Sequence, residues 1–312
     1  MESQKKVIVL GASGMLGSMV LDVLSNEKNF VVTATLREEN LLNEFSKKYE
    51  KVIFKKLDVE KSGINEIKEI IAENEWVINA IGVIKPYIHD NNSTEVERAI
   101  KINSLFPHLL SEVIVETNKK VIQIATDCVY SGQKGGYVET DLHDALDAYG
   151  KTKSLGEVIY PNFYNLRCSI IGPELKGHLS LMDWFLGQPK DSSVNGYLNH
   201  KWNGITTFHF VKLCIGIINS EIKINHLQHI IPNGEISKAD LLKVFANAYN
   251  RKDIIVNQIN AEKVVDRTLL TNNERLNKKI WRSAGYMKIP SIEEMIFEMS
   301  NFDFSKYNET KI

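Results

Sequence analysis

The sequence predicts an α/β fold built around a doubly wound parallel sheet, with a smaller α/β lobe formed by the C-terminal part of the chain. Two observations support this prediction. Short β-branched apolar runs alternate with helix-type segments from Lys6 to about Gly172, and such alternation is typical of a parallel sheet covered by helices on both faces. After Gly172 the alternation ends, which indicates a second structural region.

Each element of the first region is predicted from its residue pattern. Buried parallel strands are short continuous apolar runs, whereas helices repeat their apolar residues about every 3.6 positions. The predicted elements are strand 6–10, helix 15–25, strand 30–37, helix 38–49, strand 51–59, helix 64–74, strand 75–82, helix 93–118 with a bend or restart at Pro107, strand 119–127, a helix that includes 149–153, and strand 162–172.

The second region is less regular. Residues 173–188 predict a loop and an amphipathic helix, and the turn-rich stretch 192–207 contains Asn-Gly pairs that favour tight turns. Residues 208–220 predict a helix. Residues 226–249 predict a strand, a turn and a helix capped by Ser237. The remainder is charged and predicted to be mainly helical.

Composition excludes several classes of function. The chain of 312 residues is 43% hydrophobic and 25% charged, which is ordinary for a globular protein with a substantial core. Its net charge of -1 gives no global basic field, so we expect neither nucleic acid nor an anionic membrane as a partner. No apolar run is long enough to span a bilayer.

The cysteines and histidines predict neither a disulfide framework nor a metal site. Cys128, Cys168 and Cys214 are odd in number and widely spaced, and His178 and His200 have no metal-ligand spacing with other residues. Free thiols favour a reducing compartment, so we expect a cytoplasmic protein.

A glycine-rich turn, "GASGMLG", lies between the first strand and the first helix, with glycines at positions 11, 14 and 17. In a Rossmann fold the first glycine permits the tight turn, the second lets the backbone approach a pyrophosphate, and the third lets the helix pack against the sheet. The alternative is an ordinary glycine-rich turn. The residues expected to bind a dinucleotide here are Gly11, Ser13, Gly14, Met15 and Leu16.

The residue after the second strand distinguishes two cofactors. An acidic residue there binds the ribose hydroxyls of NAD, whereas an arginine pairs with the 2′-phosphate of NADP. Arg37 lies at the expected distance and is followed by Glu38 and Glu39. The sequence therefore favours NADP(H) over NAD(H). The alternative is that all three residues only flank the next helix in solvent.

Two further loops are expected to line the cofactor. Asp58, followed by Val59, comes after the third strand and is a plausible partner for an adenine amine. Ala80, Ile81 and Gly82 follow the fourth strand, where small residues permit close approach of the backbone.

The stretch "DAYGKTKSLGE" places Tyr149 and Lys153 four residues apart, on one face of a predicted helix. A lysine ammonium beside a phenol stabilises the phenolate and lowers its pKa, so that the tyrosine can transfer a proton near neutral pH. On its own the spacing is also compatible with a solvated helix face.

Together these motifs resemble the extended short-chain dehydrogenase/reductase superfamily, over about the first 210 residues. The matching residues are the glycine turn, Asp58, "NAIG" at 79–82, Asn103, "ATD" at 125–127, "YGKTK" at 149–153 and "LRCSIIGP" at 166–173. Within the superfamily, "TDCVYSG" and "YGKTKSLGE" are most similar to the dTDP-4-dehydrorhamnose reductase group. The chain departs from that group at Ala125, where a Ser or Thr is usual, and at Cys128, where a Tyr is usual.

The resemblance implies a set of roles. Tyr149 is expected to be the general acid, Lys153 to lower its pKa and bind the nicotinamide ribose, and Thr126 to hydrogen-bond the substrate carbonyl. Asn103 is expected to lie near the cofactor and to support a proton relay, or to be a buried side chain bonded to nearby backbone. The loops after the strands are expected to frame the substrate, because ligands bind at the carboxyl ends of parallel strands. The candidates for substrate contact are Val83, Thr126, Asp127, Cys128, Val129 and Trp202, and for the loop candidates a structural role stays open, with packing favoured for Cys128.

The resemblance also implies a domain organisation. Residues 1–170, with contributions from about 204–232, are expected to form the NAD(P)-binding Rossmann domain. Residues 171–203 and 233–312 are expected to form the smaller substrate-binding lobe.

The expected function is an NAD(P)H-dependent reductase of a nucleotide-linked 4-keto-6-deoxysugar, in the biosynthesis of deoxysugars or polysaccharides, with a homodimer possible. Two alternatives remain open: a sugar-nucleotide epimerase on the same scaffold and a non-catalytic NADP-binding regulatory subunit. A dehydratase is disfavoured, because such enzymes carry an Asp-Glu pair after the strand-five threonine and this chain has Asp127 followed by Cys128.

Overall fold

The structure, a computed structural model, describes residues 4–115 and 117–303. Its strands are β1 (Lys5–Leu10), β2 (Phe30–Leu36), β3 (Ile53–Lys56), β4 (Trp76–Asn79), β5 (Lys120–Ala125), β6 (Phe163–Arg167), β7 (Ile170–Ile171), β8 (Ser193–Tyr197), β9 (His200–Trp202), β10 (Ile205–Thr206), β11 (Leu227–His229), β12 (Ile236–Ser237), β13 (Ile255–Ile259) and β14 (Val265–Asp266). Its α-helices are α1 (Met15–Asn26), α2 (Glu39–Lys48), α3 (Ile64–Ile71), α4 (Ser93–Ala99), α5 (Phe106–Ile114), α6 (Ala148–Leu155), α7 (Leu181–Leu186), α8 (Thr207–Asn219), α9 (Lys238–Ala248), α10 (Glu274–Ser283) and α11 (Ile292–Ser300).

Within these residues, seven strands form one sheet in the order β11-β6-β5-β4-β1-β2-β3. Strand β1 pairs in parallel with β2 on one side and with β4 on the other, and the β2–β3 and β4–β5 pairs are also parallel. Residues 7–10 of β1 are fully buried, as expected of a central strand covered by helices on both faces. The predicted doubly wound α/β fold is confirmed.

The chain divides into two compact units. Unit 1 comprises the described part of residues 1–125 together with 145–166 and 223–227, and it holds β1–β5 and α1–α6. Its core packs Ile8 and Val77 of the sheet against Ile67 of α3 and Phe106 and Leu110 of α5. Burial of these apolar side chains, each contributing about 1.5–3 kcal/mol, holds the helices against the sheet.

Unit 2 comprises residues 126–144, 167–222 and the described part of 228–312. It contains the parallel pairs β7–β10 and β8–β13 and the three-stranded sheet β12-β9-β14. Helix α8 packs against α10 and α11, and α9 packs against α7 and α11. Trp281, Phe185, Phe210 and Phe245 are fully buried in this unit.

The predicted helix 93–118 includes a π-helical segment. Helix α4 ends at Ala99, a π-helical segment covers Ile100–Leu105, and α5 begins at Phe106. Pro107 lies in the first turn of α5, directly after the π-helical segment. The backbone is right-handed helical at Ala99, Leu105 and Phe106, so the hydrogen-bonding pattern changes here without a break in the helix. The π-helical segment was not predicted.

Several short strands were also not predicted. The predicted strand 162–172 is divided into β6 and β7, the turn-rich stretch 192–207 contains β8–β10, and β13 and β14 lie in the part expected to be mainly helical. Each of these strands is two to five residues long and pairs with a distant segment. Such pairings depend on tertiary contacts rather than local pattern.

The predicted cap of α9 is confirmed. Asp240 N–H donates to Ser237 Oγ over 3.0 Å, so Ser237 occupies the N-cap and Lys238 is the first helical residue. In residues 4–115 and 117–303, no helix is both long and apolar enough to cross a bilayer.

Candidate active site

The glycine turn is held against the end of β2. Gly11 N–H donates to Thr35 Oγ1 and Ala12 N–H donates to the Thr35 carbonyl, both over 3.0 Å. Gly11 has φ of +82°, a conformation that favours glycine. A Cβ on Gly17 would overlap the Gly11 carbonyl, so only glycine lets α1 begin this close to the turn.

The N-terminus of α1 suits an anion. Gly14 is its N-cap and supplies no side-chain cap, and the first turn of α1 carries no acidic residue. The first N–H groups of a helix have no intrahelical acceptor, and the helix dipole favours negative charge there. Ser13, Gly14 and Met15 are at least partly exposed, whereas Leu16 is buried. The turn therefore fits the pyrophosphate of a dinucleotide.

Arg37 follows β2 and is half-exposed, with two carboxylates beside it. Its Nη2 lies 3.4 Å from Glu38 Oε1 and its Nη1 lies 3.8 Å from Glu60 Oε1. Arg98 of α4 donates from Nε to the same Glu60 oxygen over 2.9 Å. The chain therefore places two guanidinium groups around one carboxylate near the end of β2, and sequence reasoning had identified only Arg37.

Asp58 organises the turn after β3. Its Oδ1 accepts from Glu60 N–H over 3.2 Å, and its Oδ2 lies 3.4 Å from Lys61 Nζ. Val59 packs its partly buried side chain against Ile102 and its neighbours. A role for Asp58 towards an adenine amine stays a prediction.

The loop after β4 is fixed by side-chain amides. Ile81 N–H donates to Asn79 Oδ1 over 3.2 Å, and Ala80 N–H donates to the Leu10 carbonyl over 3.1 Å. Asn103, in the π-helical segment, accepts from Val83 N–H over 2.8 Å and donates back to the Val83 carbonyl over 3.0 Å. Gly82 lies directly beside this amide.

The Asn103 side chain also reaches α6. Its Nδ2 lies 3.3 Å from Thr152 Oγ1, and the side chain is 2% exposed. Asn103 thus joins the loop after β4 to the helix that carries Tyr149 and Lys153. This is the pattern expected of a buried side chain bonded to nearby backbone, and the proton relay stays a prediction.

Helix α6 begins at a pair of carboxylates. Asp147 is the N-cap and accepts from Gly150 N–H over 2.8 Å, while Asp90 accepts from Ala148 N–H over 2.9 Å. Asp147 also forms an ion pair with Lys85 over 2.8 Å. Negative charge at a helix N-terminus is stabilising, so the start of α6 is firmly defined.

Tyr149 lies in the first turn of α6. Its ring is partly exposed and packs against the cluster formed by Val83, Ile88, Ala99 and Ile102. Its face of the helix is shared with Lys153, one turn further on. One edge of the ring is therefore fixed by apolar packing in unit 1.

Lys153 is a buried cation. It is 9% exposed and donates from Nζ to the Ile124 carbonyl near the end of β5, over 3.1 Å. Burial lowers the pKa of Lys153 to about 8, although the nearby carboxylate of Glu157 acts in the opposite direction. A lysine with this pKa is an ammonium in most molecules at neutral pH and can stabilise a neighbouring phenolate.

A ladder of buried amides supports this part of unit 1. Asn79 donates to Gln123 over 2.8 Å, and Gln123 donates both to Asn165 over 2.9 Å and to the Gly156 carbonyl at the end of α6 over 2.8 Å. These side chains cross β4, β5 and β6 in turn. Each amide has a partner, so the ladder fixes the end of α6 relative to the sheet.

In unit 2, Thr126 starts the short 3-10 turn Asp127–Val129. Its Oγ1 accepts from Cys128 N–H and donates to Asp127 Oδ1, both over 3.2 Å. Burial raises the pKa of the Asp127 carboxyl above its usual range, while the cations of Arg267 and Lys238 act in the opposite direction. Asp127 is 7% exposed.

The other predicted substrate residues differ in exposure. Cys128 is partly exposed and forms no disulfide with a described residue. Val129 is fully buried and packs with Tyr130, Tyr137 and Leu269. Trp202 is 4% exposed, which leaves little of its ring for a ligand. Contact of these residues with substrate stays a prediction.

Histidine and acidic residues do not form a metal site in the described part of the chain, where no group of three or more possible ligands converges. His229 is fully buried. Its Nε2 accepts from Arg167 Nη1 over 2.8 Å, and its Nδ1 donates to the Leu270 carbonyl over 2.7 Å. It is therefore a packing residue of unit 2.

The profile of one protein family, described as the RmlD substrate binding domain, matches residues 5–171. The chain belongs to this family. The match includes Tyr149, Lys153 and Thr126 and confirms the resemblance to the dTDP-4-dehydrorhamnose reductase group.

A dTDP-4-dehydrorhamnose reductase from Aggregatibacter actinomycetemcomitans is 27% identical over 154 residues, which is 49% of this chain and 45% of that protein. The match therefore spans less than half of the relative's length.

Two solved structures illustrate the shared fold. A dTDP-4-dehydrorhamnose reductase from Bacillus anthracis, in complex with NADP, is 17% identical, with a TM-score of 0.70 over 95% of this chain and 98% of that chain. A UDP-glucuronic acid 4-epimerase from Bacillus cereus, in complex with UDP-glucuronic acid and NAD, is 16% identical, with a TM-score of 0.69 over 95% of this chain and 98% of that chain. At these identities the matches establish the fold.

Sequence reasoning missed two cations near Asp127. Arg267 donates to the Tyr130 carbonyl over 2.8 Å and Lys238 is the first residue of α9, and the charges of both act on the Asp127 carboxyl. A signal for Lys238 was present, because it directly follows the helix cap Ser237, where the helix dipole disfavours a positive charge. No local pattern marks Arg267.

Proposed function

We propose that this RmlD-family chain is an NAD(P)H-dependent reductase of a nucleotide-linked 4-keto-6-deoxysugar, of the short-chain dehydrogenase/reductase type, acting in the cytoplasm. The observation that supports this most directly is the arrangement of α6. There Tyr149 and the buried ammonium of Lys153 share one helix face, inside the segment that matches the family.

The chain's own residues fit a nicotinamide dinucleotide. The glycine turn and the uncapped start of α1 suit its pyrophosphate, and the loop at 80–82 offers backbone close to Gly11. Asp58 and Arg37 would hold the adenosine end, and Lys153 the nicotinamide ribose. When bound in its reduced form, the cofactor supplies the hydride.

Tyr149 is the proposed proton donor. Reduction of a ketone to an alcohol places negative charge on the carbonyl oxygen, and transfer of the Tyr149 phenolic proton to that oxygen neutralises it. The Lys153 ammonium stabilises the phenolate left on Tyr149. Asp90, Asp147 and Asn103 hold α6 so that the phenol stays in place.

Thr126 is the proposed partner of the substrate carbonyl. Its hydroxyl can donate to the oxygen on which charge develops, and such a preorganised donor lowers the barrier. The Thr126 hydroxyl is held by Cys128 N–H and next to Asp127 Oδ1. The substrate carbonyl oxygen would accept the hydrogen bond that Thr126 otherwise donates to Asp127 Oδ1.

We further propose a preference for NADP(H) over NAD(H). Thr35 ties the end of β2 to the glycine turn, so Arg37 lies close to the expected ribose. Its half-exposed guanidinium can pair with a 2′-phosphate, and the dTDP-4-dehydrorhamnose reductase from Bacillus anthracis was solved in complex with NADP. Glu38 beside Arg37 is the residue that would favour NAD instead.

Oxidation of NADPH against a panel of nucleotide-linked 4-keto-6-deoxysugars tests the proposal. Turnover with at least one of them is expected, and Tyr149→Phe should reduce kcat by at least about 100-fold, because it removes the only proton that the phenol can give. Cofactor binding by the variant, measured by NADPH fluorescence, should stay nearly unchanged.

Two results would count against the reductase. Undiminished turnover by Tyr149→Phe would remove the assigned mechanism. Retention of tightly bound NAD through purification, with interconversion of sugar epimers and no net oxidation of NADPH, would establish the epimerase instead.

A further inference from the structure

Thr152 lies between the two proposed catalytic residues of α6 and is bonded to one of them. It directly precedes Lys153, follows Tyr149 by three positions and is 6% exposed. Its Oγ1 donates to the Tyr149 carbonyl over 3.0 Å. Threonine side chains often bond to the preceding turn of their own helix, so this contact alone assigns no role to Thr152.

A second contact ties the Thr152 hydroxyl to a distant part of the chain. Asn103 Nδ2 donates to Thr152 Oγ1 over 3.3 Å, and the two residues are 49 positions apart. The Asn103 amide also donates to the Val83 carbonyl over 3.0 Å and accepts from Val83 N–H over 2.8 Å. The loop after β4 therefore fixes the amide, and the amide holds the hydroxyl from outside α6.

These bonds form one continuous path of buried groups. The path runs from the Val83 backbone through the Asn103 amide and the Thr152 hydroxyl to the Tyr149 carbonyl. The hydroxyl uses its proton towards Tyr149 and a lone pair towards Asn103, which are the two roles that a hydroxyl can combine. A buried network in which each group has its partner is rigid.

The Tyr149 ring is positioned from the same loop. It packs against the buried apolar cluster that includes Val83, so apolar contact fixes the ring and hydrogen bonds fix the carbonyl. Lys153 is anchored separately, because its Nζ donates to the Ile124 carbonyl over 3.1 Å. Loss of the Thr152 hydroxyl should therefore disturb Tyr149 and leave the Lys153 ammonium in place.

We propose that Thr152 is a positioning residue for the Tyr149 phenol, and that its hydroxyl couples the backbone of the proton donor to the loop after β4. This inference rests on the proposed function, because it concerns the proton that Tyr149 gives to the substrate carbonyl. Thr152 acts through the Tyr149 backbone. A shift of the phenol by about 1 Å lowers the rate of the chemical step far more than it lowers ligand binding.

Steady-state kinetics test this role, with NADPH and whichever nucleotide-linked 4-keto-6-deoxysugar the wild-type chain reduces fastest. Thr152→Val retains the branched shape and removes the hydroxyl. It should lower kcat by about 10- to 100-fold, the effect of a misplaced reacting group. The KM values for sugar and NADPH should stay within about threefold, because no binding contact is lost. Thr152→Ser retains the hydroxyl and should restore kcat to near the wild-type value.

The matched control is Thr117→Val. Thr117 Oγ1 donates to the Ile114 carbonyl over 2.9 Å and accepts from Lys119 N–H over 3.3 Å, so this variant loses the same two kinds of bond. Both partners lie close in sequence, at the end of α5 and just beyond it. Urea unfolding should show a loss of stability for both valine variants, whereas kcat should fall for Thr152→Val and stay unchanged for Thr117→Val.

If Thr152→Val shows no cooperative unfolding transition, Thr152→Ala removes the hydroxyl with less crowding and carries the same expectation. A folded variant with wild-type kcat would overturn the positioning role, as would an equal fall in kcat for Thr117→Val. A low kcat for Thr152→Ser would assign the effect to the methyl group and overturn it as well. In each of these cases the reductase would stand. A wild-type chain that oxidises NADPH with none of the sugars would overturn the proposed function, and this inference with it.

Discussion

Buried cations distinguish this chain at the scale of single residues. Lys153 and Lys238 each have a pKa lowered to about 8, in both cases chiefly through burial. Such burial lowers stability, because the charged form loses hydration that one or two contacts do not replace. Lys153 is 9% exposed, and the proposed role of its ammonium towards Tyr149 and the cofactor accounts for keeping a charge there.

The cost of burying Lys153 can be measured. Its pKa is about 8 in the folded chain and 10.5 as a free side chain, and each pH unit between these values corresponds to about 1.4 kcal/mol. Lys153→Met should therefore make the cofactor-free chain more stable by up to about 3 kcal/mol at pH 7, as judged by urea unfolding. The same variant should have little or no turnover.

The pH dependence identifies the cause. Because the folded pKa lies below the unfolded one, the penalty is fully present below about pH 8 and disappears as the pH rises towards 10.5. The stability gained by Lys153→Met should shrink over that window. Lys151→Met, on the exposed side of α6, should show no such trend. A constant difference between Lys153→Met and wild type at every pH would mean that packing rather than charge accounts for the effect.

At the scale of elements, the strands and helices around α6 could be predicted from the sequence, but the π-helical segment beside α6 could not. The alternation of apolar runs was enough to predict β1–β5 and their helices, because burial on both faces of a parallel sheet leaves a local signature. The spacing of Tyr149 and Lys153 was enough to place them on one helix. The π-helical segment Ile100–Leu105 leaves no comparable signature, since it depends on contacts with residues far along the chain.

One of those distant contacts is Gly156, the C-cap of α6. A Cβ on Gly156 would overlap the Asn103 carbonyl in the π-helical segment. The backbone of Gly156 has φ of -82°, which any residue can adopt. The glycine is therefore required by close approach and not by backbone conformation.

Gly156→Ala should accordingly destabilise the chain by about 3 kcal/mol or more, because neither backbone segment can move without disturbing its neighbours. Gly63→Ala is the matched control: Gly63 is the N-cap of α3, its φ is -86°, and a Cβ there would meet no atom within 4 Å. Its unfolding free energy should change by less than about 1 kcal/mol. Urea unfolding of both variants measures the difference. Similar losses for the two would show that α6 and the π-helical segment can separate at little cost.

Across the whole molecule, the two units were predictable to different degrees. Unit 1 carries motifs whose spacing follows from its repeating strand–helix pattern. Unit 2 is assembled from strands of two to five residues that pair over long sequence distances, such as β8 with β13. Asp127, Arg267 and Lys238, whose charges act on one another, come from three separate segments, so no local spacing could bring them together.

The stability of the whole chain should also report which cofactor it binds. A ligand that binds only the folded state stabilises it by about 2.7 kcal/mol when present at 100 times its Kd. If Arg37 pairs with a 2′-phosphate, NADPH should raise the melting temperature by several degrees and NADH at the same concentration by less. Arg37→Ala should remove the difference between the two cofactors and leave a smaller common shift. Lys47→Ala, which removes an exposed cation from α2, should preserve the difference. Equal shifts for NADPH and NADH in the wild-type chain would assign the end of β2 to the ribose hydroxyls, with Glu38 as their partner in place of Arg37.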